Sequence, residues 1–312
     1  HTFGSNSARN GEPMFQWRQA QTLFGGAPHS IANMTRYGFG LPLHADPGTV
    51  YAYSNLGYML LGRVVEKVSG RSYEEYVRQE VFAPLGVTTA RIGRSLLSQR
   101  YTDEVRYYDF EGAATVPSLV PGVTGNVPRP YGGSFLTEVA ESWGGWVISA
   151  VDLMRYVTGL DGRRQGLALL TPATRSLMFS RPAAPLSQTS VTYYGLGWNV
   201  RPVNNGFAYF HSGSLAGTRT NLVTFANGRS YAVLFNSRPR ESDQAVAEGA
   251  ADAFLLEVET NINAAFSRVT RWPTEDLFPR FARESISASA EQLTFNWQVG
   301  TAGPAAQTLN LT

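Results

Sequence analysis

Residues 51–70, YAYSNLGYMLLGRVVEKVSG, contain the clearest helical pattern of the chain. Ser54 stands where an N-cap is expected, and Gly70 ends the pattern. Between them, apolar residues recur at helical spacing: Leu56, Met59, Leu60, Val64 and Val68. The spacing therefore predicts an amphipathic helix that begins directly after Ser54.

Further capping signals predict more helices on both sides of this one. Ser72 with Glu75 forms a capping box for a second helix, which ends at the Pro-Leu-Gly of residues 84–86. The remaining helical signals are a weak pattern near 12–24, Ser149 with Asp152 before a helix to about Leu160, and Thr171-Pro172 before a short helix. The adjacent capped helices predict a helical subdomain. Residues 100–146 lack clear periodicity and are rich in turns and aromatic residues, which is typical of a functional loop or lid.

The second half of the chain shows the alternation that indicates β-strands. The predicted strands are Tyr193–Val200, Ala208–His211, Thr218–Phe225 and Tyr231–Phe235. Asn227-Gly228 between the last two is a strong hairpin signal. A long amphipathic helix is predicted from Glu241 to about Ile262. Helices followed by antiparallel strands and a covering helix predict an α+β fold rather than alternating βαβ units.

The composition of the chain excludes several classes of protein. With 312 residues, 43% of them hydrophobic and 12% aromatic, the chain can bury a large core and is not intrinsically disordered. Its apolar runs are shorter than the roughly 18 residues of a transmembrane helix. The absence of Cys excludes disulfides and thiolate metal sites. A net charge of +2 with dispersed basic residues lacks the electrostatic footprint of a nucleic-acid-binding protein.

The composition changes after Ile262 and indicates a second module. Residues 266–284 are rich in Arg and contain Pro273 and Pro279, which is typical of a linker. Alternating apolar residues and a Gly-Pro turn then indicate two strands, carried by Leu293, Phe295, Trp297, Leu309 and Leu311. The sequence predicts a main domain over 1–265, this linker, and the beginning of an immunoglobulin-like β-module over 285–312. Because an isolated hairpin is marginally stable, we expect further strands beyond Thr312.

Tyr53-Ser54-Asn55, at the start of the strongest helix, is one candidate for chemistry. The positive end of a helix dipole favours a phenolate, so this position is expected to lower the pKa of Tyr53 towards that of a useful base. The amide of Asn55 is suited to orient a carbonyl or an ammonium group. The alternative interpretation is a packed aromatic residue beside an ordinary helix cap.

His211-Ser212-Gly213-Ser214, at the end of a predicted strand, is the second candidate. The glycine lets a ligand approach the backbone closely, and the following N–H groups can face an oxyanion. The alternative interpretation is a turn at the end of a strand that carries a surface histidine.

Together and in this order, the segments resemble the serine β-lactamase-like superfamily of class C β-lactamases, DD-peptidases, and related esterases and D-amino-acid peptidases. The matching segments are residues 41–43 (LPL), 47–48 (PG), 51–70 with its Tyr-x-Asn, 72–86 (SYEEYVRQEVFAPLG), 143–156 (WGGWVISAVDLMRY), 171–178, 194–198 (YGLGW) and 211–213 (HSG). The resemblance covers roughly residues 1–262. It implies an antiparallel sheet flanked by helices, a helical domain beside it, and a site in the cleft that needs no metal or cofactor.

The resemblance also implies roles for individual residues. Tyr53 would act as general base or acid, Asn55 would position the substrate or a lysine, and the N–H of Ser214 would supply half of an oxyanion hole. Ser212 and Gly213 would line the substrate site. His211 stands where penicillin-recognising members carry Lys; because His is mostly neutral at pH 7, the resemblance favours an ester, amide or D-amino-acid peptide over a β-lactam as substrate.

One family motif is missing from this chain. Members carry a nucleophilic Ser in a Ser-x-x-Lys motif, but the single Lys here is Lys67, and residue 64 is Val. Residues 1–4 (HTFG) resemble a His-Thr-Ser-Gly segment that follows the nucleophile in the family, so we expect the nucleophile upstream of His1 in a longer, exported protein. The alternative is a binding or regulatory module of the same fold without a nucleophile. The expected partner is a small-molecule or peptide substrate; the sequence predicts no oligomeric state.

Other side chains have weaker signals. Arg219 lies on a predicted strand eight residues after His211 and could bind a substrate carboxylate, although an Arg in a strand is usually a surface residue. Five aromatic residues of the irregular stretch could form the wall of an acyl pocket or pack in the core: Tyr107, Tyr108, Tyr131, Trp143 and Trp146.

Overall fold

The computed structural model describes residues 12–26, 29–43, 45–110, 112–160, 162, 168–183, 188, 190–204, 206–238 and 253–281. The chain divides into two compact units, His1–Ser267 and Arg268–Thr312. The described part of the second unit contains one 3-10 helix, Phe278–Phe281. The predicted β-module over 285–312 and the HTFG segment at residues 1–4 lie outside the described residues, so the domain assignment stays a prediction.

Four helices begin the first unit, and their caps follow the sequence signals. They are α1 (Trp17–Leu23), α2 (Ile31–Gly40), α3 (Asn55–Ser69) and α4 (Tyr73–Tyr76), with a 3-10 turn at Pro13–Phe15 before them. The hydroxyl of Ser54 accepts a hydrogen bond from the N–H of Gly57 at 3.0 Å. Gly70 adopts the left-handed conformation, with φ of 71°, that ends a helix without a steric penalty. Both predicted ends of α3 are therefore confirmed.

The second predicted helix keeps its predicted ends but changes geometry along its length. Ser72 caps α4 by accepting from the N–H of Glu75 at 3.3 Å. The chain continues as a π-helix over Val77–Phe82 and a 3-10 turn over Ala83–Leu85. Gly86, with φ of 71°, ends it at the predicted position.

Two later helices also start at their predicted caps. In α5 (Ala150–Leu160), the N–H of Asp152 donates to the hydroxyl of Ser149 at 3.1 Å. The carboxylate of Asp152 is fully buried, pairs with Arg155 and accepts the N–H of Thr89 at 2.9 Å. In α6 (Pro172–Phe179), the Thr171 hydroxyl caps the first turn.

An antiparallel sheet of five strands, in the order β5-β6-β7-β8-β9, forms the second half of the unit. The strands are β5 (Tyr193–Tyr194), β6 (Asn199–Val203), β7 (Gly206–Leu215), β8 (Thr218–Phe225) and β9 (Ser230–Phe235). Two short pairs lie outside it: β1 (Arg91–Ile92) with β4 (Trp146–Val147), and β2 (Val116–Pro117) with β3 (Asn126–Val127). The predicted α+β class is confirmed.

Two strand boundaries differ from the sequence prediction. The predicted strand 193–200 is divided into β5 and the start of β6, because Gly195 donates its N–H to the carbonyl of Trp198 at 2.8 Å and closes a turn. Gly197 has φ of 85° in this turn, which an extended strand does not allow. The predicted strand 208–211 is too short, since β7 continues to Leu215.

Helices cover both faces of the large sheet. On one face, Ala208 and Val223 pack towards Ile262 and Phe266 of α7 (Ala253–Arg268). On the other face, a second cluster joins the sheet to α5 and α6; it contains Val157, Leu160, Trp198, Phe179, Tyr209 and Leu222. Because side chains alternate along a strand, His211 faces the same side as Tyr209. The predicted start of the last helix at Glu241 lies outside the described residues.

The stretch 100–146 is irregular, as its sequence predicts, but much of it belongs to the core. Leu119, Phe135 and Leu136 are buried in one cluster with Met34 of α2 and Leu56 of α3. A function as a lid stays a prediction. Among the described helices, none combines the length and apolar character needed to cross a lipid bilayer.

Candidate active site

Tyr53, Tyr194 and His211 form an aromatic cluster where the helices meet the sheet. The ring centroids of Tyr53 and His211 are 6.2 Å apart, and those of Tyr53 and Tyr194 are 6.0 Å apart in an edge-on arrangement. The hydroxyl of Tyr194 lies 2.9 Å from Nε2 of His211. The structure thus brings together Tyr53 and His211, which are far apart in the sequence and were both singled out from it.

The N-terminus of α3 determines the surroundings of Tyr53. The carboxylate of Glu12 accepts the N–H groups of Asn55 at 3.1 Å and Leu56 at 3.2 Å. The N–H groups at the positive end of the helix dipole are therefore already hydrogen-bonded to a carboxylate. Burial raises the pKa of Glu12 itself, while these hydrogen bonds oppose the shift.

The expectation of a lowered pKa for Tyr53 is wrong. Tyr53 is 41% exposed, but its ring packs against Tyr194 and His211. Desolvation first, and the negative charge of Glu12 second, raise the pKa of Tyr53 to about 12. The helix dipole does not overcome these two effects, so Tyr53 is a protonated phenol at neutral pH.

His211 is half-buried on β7, and both of its ring nitrogens have partners. Nδ1 lies 2.8 Å from the carbonyl oxygen of Ser212, and Nε2 contacts Tyr194. Burial lowers the pKa of His211 below its ordinary value of 6.5. The lowered pKa agrees with the inference that His211 is neutral near pH 7, and the alternative of a surface histidine is wrong.

Strand β7 has one open edge beside this cluster. Strand β6 pairs only with residues 206–210 of β7, whereas β8 pairs with residues 208–215. Among the described strands, therefore, none pairs with residues 211–215 on the side away from β8. These residues include the complete HSGS segment.

The backbone N–H and C=O groups of residues 211–215 point alternately towards β8 and towards the open edge. Leu215 and Thr218 are partners across a two-residue loop, and such a loop closes on a hydrogen-bonded pair. Counting back along the ladder, the N–H and C=O groups of Ser212 and Ser214 point away from β8, towards the open edge. The carbonyl of Ser212 agrees with this direction, because it is the group that lies against Nδ1 of His211.

Gly213 and Arg219 connect this part of β7 to β8. A Cβ on Gly213 would collide with the hydroxyl of its cross-strand partner Thr220, so only glycine fits without a shift. Arg219 is 3% exposed, and its Nη1 donates to the carbonyl of Gly213 at 2.9 Å. The expectation that Arg219 is a surface residue is wrong, since its side chain supports the backbone of β7. Its binding of a substrate carboxylate stays a prediction.

The remaining candidates have simpler positions. Asn55 is the first residue of α3 and is half-buried, two positions from Tyr53; its positioning role stays a prediction. Lys67 is exposed in the last turn of α3. Within the described ranges, no group of three or more His, Cys, Asp or Glu side chains is arranged to hold a metal ion.

Sequence reasoning missed the tyrosines that surround His211. Tyr194 contacts His211, the Tyr51 ring lies 5.7 Å from that of Tyr194, and the Tyr58 hydroxyl hydrogen-bonds to Tyr194. The YGLGW segment was the available signal, but it indicated only a strand. Tyr51 and Tyr194 also line a cavity of about 240 Å³ whose other lining residues are uncharged: Gln188, Ser190, Thr192, Tyr193 and Asn199.

The five aromatic residues proposed for an acyl pocket separate into two groups. Tyr107, Tyr108 and Tyr131 line a second cavity, of about 260 Å³, next to the loop that joins β7 to β8. Trp143 instead packs edge-on against Phe15, and Trp146 against Phe82, in two hydrophobic clusters. The two tryptophans are partly buried and pack against these clusters, in agreement with the packing alternative.

Comparisons with known proteins agree with this arrangement. The family model described as Beta-lactamase matches residues 7–255. Penicillin-binding protein 4* of Bacillus subtilis is 24% identical over 216 residues, which are 68% of this chain and 45% of that protein. The chain spans about half the length of the curated relatives it matches.

Two solved structures show the same fold. The penicillin-binding protein of Bacillus halodurans matches with a TM-score of 0.57 and 18% identity, over 80% of this chain and 71% of that one. The D-stereospecific amidohydrolase of a Streptomyces species matches with a TM-score of 0.55 and 20% identity, over 76% of this chain and 66% of that one. The β-lactamase-like architecture expected from the sequence is thereby confirmed.

Proposed function

The chain belongs to the beta-lactamase family, and from that membership we propose that it forms the larger part of a serine hydrolase that works through an acyl-enzyme. Its substrate is an ester, an amide or a D-amino-acid peptide. The observation that carries the proposal is the meeting of Tyr53 and His211 beside the open edge of β7. Packing alone does not require that combination.

The nucleophile in this proposal is a serine of a Ser-x-x-Lys motif upstream of His1. Its hydroxyl oxygen bonds to the substrate carbonyl carbon, its proton passes to the base, and the leaving group departs with a proton. Water then cleaves the acyl-enzyme by the reverse sequence of proton transfers. Among the residues of this chain, Tyr53 is the group that takes part in these proton transfers.

The raised pKa of Tyr53 specifies how it works. With a pKa of about 12, its phenol is a proton donor at neutral pH and is suited to protonate a leaving group. To act as a base it needs a nearby cation that lowers its pKa, because the charge it feels from Glu12 is negative. The lysine of the proposed upstream motif supplies that cation.

The edge of β7 supplies the oxyanion site. The N–H of Ser214 points towards the open edge, where it can donate to the oxygen that becomes negative in the tetrahedral intermediate. The second donor is the N–H of the upstream serine. Gly213 keeps this position free of a side chain, and Ser212 lies beside it, so both contribute to the substrate site.

The neutral imidazole of His211 directs the substrate class. A β-lactam carboxylate favours a permanent cation, which a histidine with a lowered pKa does not supply at pH 7. Esters, amides and D-amino-acid peptides do not require a permanent cation at this position. Export of the protein to the periplasm or the extracellular space is part of the same proposal, and cell fractionation tests it.

Covalent labelling of the full-length protein tests the function. The protein is incubated with a fluorophosphonate and, separately, with a penicillin, and adducts are located by intact mass and peptide mapping. We expect one adduct on a serine upstream of His1, with faster labelling by the fluorophosphonate. Heat-denatured protein is the control for non-specific labelling. If folded protein forms no adduct with either reagent, the chain is a binding module; an adduct on a serine of residues 1–312 would place the nucleophile elsewhere.

A further inference from the structure

The hydrogen bonds around His211 specify where its proton lies. Nδ1 is 2.8 Å from the carbonyl oxygen of Ser212, and a carbonyl oxygen can only accept. Nδ1 therefore carries a hydrogen. A neutral imidazole has only one N–H, so Nε2 is an acceptor whenever His211 is uncharged.

The partner of Nε2 is suited to donate. The Tyr194 hydroxyl lies 2.9 Å from Nε2, and a phenol donates one hydrogen bond while its oxygen accepts others. Burial and the neighbouring tyrosines raise the pKa of Tyr194 well above its ordinary range, so this hydroxyl keeps its proton. The Tyr194 phenol has one hydrogen, and because Nε2 is the acceptor of the neutral ring, that hydrogen lies between the Tyr194 oxygen and Nε2.

These bonds form one directed chain. It runs from the Tyr194 hydroxyl to Nε2 of His211, and from Nδ1 of His211 to the carbonyl of Ser212. The bond from Nδ1 holds the carbonyl of Ser212, which lies on the open-edge side of β7. The orientation of this carbonyl is thus coupled, through His211, to Tyr194 on β5.

We propose that Tyr194 is a positioning residue that holds His211 as its Nδ1–H tautomer and in its orientation against the edge of β7. A substrate group then reaches Nε2 only by displacing the Tyr194 hydroxyl. His211 accordingly serves the reaction by holding the Ser212 peptide unit and not as a free base. That catalytic consequence rests on the proposed hydrolase function, whereas the tautomer does not.

The tautomer is measured by nitrogen NMR on full-length protein labelled with ¹⁵N-histidine. His211→Gln identifies the resonances of His211 by their disappearance. We expect Nδ1 to show the shift of a protonated nitrogen and Nε2 that of a hydrogen-bonded acceptor, the reverse of the Nε2–H tautomer that predominates in free histidine. A protonated Nε2 in neutral wild-type His211 would overturn the proposal.

Two variants separate positioning from general packing. Tyr194→Phe should admit the Nε2–H tautomer and therefore shift Nε2 upfield, towards the value of a protonated nitrogen. The matched control is Tyr193→Phe on the same strand, whose hydroxyl donates to the carbonyl of Phe179 at 2.9 Å; it should leave the His211 signals unchanged. Unchanged His211 shifts in folded Tyr194→Phe would also overturn the proposal. If that variant fails to fold, the nitrogen shifts of wild-type His211 decide alone, because a protonated Nε2 in the neutral ring overturns the proposal.

An activity measurement adds the catalytic consequence. In full-length protein that hydrolyses an ester, Tyr194→Phe should lower kcat several-fold with little change in KM, and Tyr193→Phe should change neither. If the protein hydrolyses no substrate, the function proposed above fails, while the nitrogen shifts still decide the tautomer. If kcat is unchanged although the tautomer shifts, the positioning of His211 is not used in the reaction.

Discussion

The carboxylate of Glu12 accepts the backbone N–H of Asn55, a residue 43 positions further along the chain, at 3.1 Å. A second bond, from the N–H of Leu56, completes a cap on α3 that no local sequence pattern indicates. The same negative charge raises the pKa of Tyr53. Glu12 therefore connects the stability of the helix end to the protonation of the tyrosine beside it.

Replacing Glu12 with Gln should lower the pKa of Tyr53 from about 12 towards 10. The amide keeps an oxygen that can accept an N–H, but it removes the negative charge that disfavours a phenolate. Ultraviolet titration measures the shift when the curve of each background is compared with its Tyr53→Phe version. Glu75→Gln, at the exposed start of α4, is the control. A Tyr53 pKa that does not move in Glu12→Gln would remove Glu12 as a cause.

Glu12 should also affect how stability depends on pH. Its pKa is raised above 4.5 in the folded protein, so the folded state keeps this proton to a higher pH than the unfolded state. The stability it contributes is therefore fully present below the unfolded pKa and is lost as the pH rises through the folded pKa. We expect wild type to lose free energy of unfolding relative to Glu12→Gln above a pH of about 4.5. Denaturant unfolding of both proteins across this range measures it, and parallel profiles would contradict the shift.

Tyr53→Phe in the full-length protein should lower kcat on an ester by about tenfold or more, because general acid–base catalysis contributes roughly 10²–10⁴-fold. The variant keeps the ring that packs against Tyr194 and removes only the hydroxyl. Tyr76→Phe is the control, since this tyrosine lies at the end of α4 with its ring under Arg71. An unchanged kcat would exclude Tyr53 from the proton transfers.

The parts of the fold that depend on neighbouring residues could be predicted from the sequence. Ser54 and Gly70 predict both ends of α3 because a cap hydroxyl and a left-handed glycine act within one helical turn. The strand 218–225 also matches β8. The division of 193–203 into two strands was missed because the hydrogen bond between Gly195 and Trp198 competes with the alternating pattern.

The parts of the site that depend on distant residues could not be predicted in the same way. The dipole argument for Tyr53 considers only an isolated helix, and it omits the desolvation by burial and the negative charge of Glu12. Arg side chains usually lie at the surface. The Arg219 side chain is buried instead, and its Nη1 donates a hydrogen bond to the carbonyl of Gly213. Both errors arise from contacts between segments that are not adjacent in the chain.

His211→Lys should increase the rate at which the full-length protein is acylated by penicillin. A lysine at this position brings a permanent positive charge to the open edge of β7, whereas the burial-lowered pKa of His211 leaves it neutral at pH 7. A fluorescent penicillin measures acylation, and His211→Gln controls for loss of the imidazole alone. Equal rates in the Lys and Gln variants would mean that charge at residue 211 does not select the substrate.

Arg219→Met distinguishes support of the backbone from binding of a substrate carboxylate. Hydrogen bonds from charged groups contribute about 1.5–3 kcal/mol, so the loss of the donor to Gly213 should lower the free energy of unfolding by about that amount. Arg78→Met, at an exposed position, controls for the loss of one positive charge and should change stability by less than about 0.5 kcal/mol. Denaturant unfolding and the KM of paired substrates with and without a carboxylate are measured on the same variants. If Arg219→Met leaves the unfolding free energy unchanged and raises KM only for the carboxylate substrate, the guanidinium binds substrate and does not support β7.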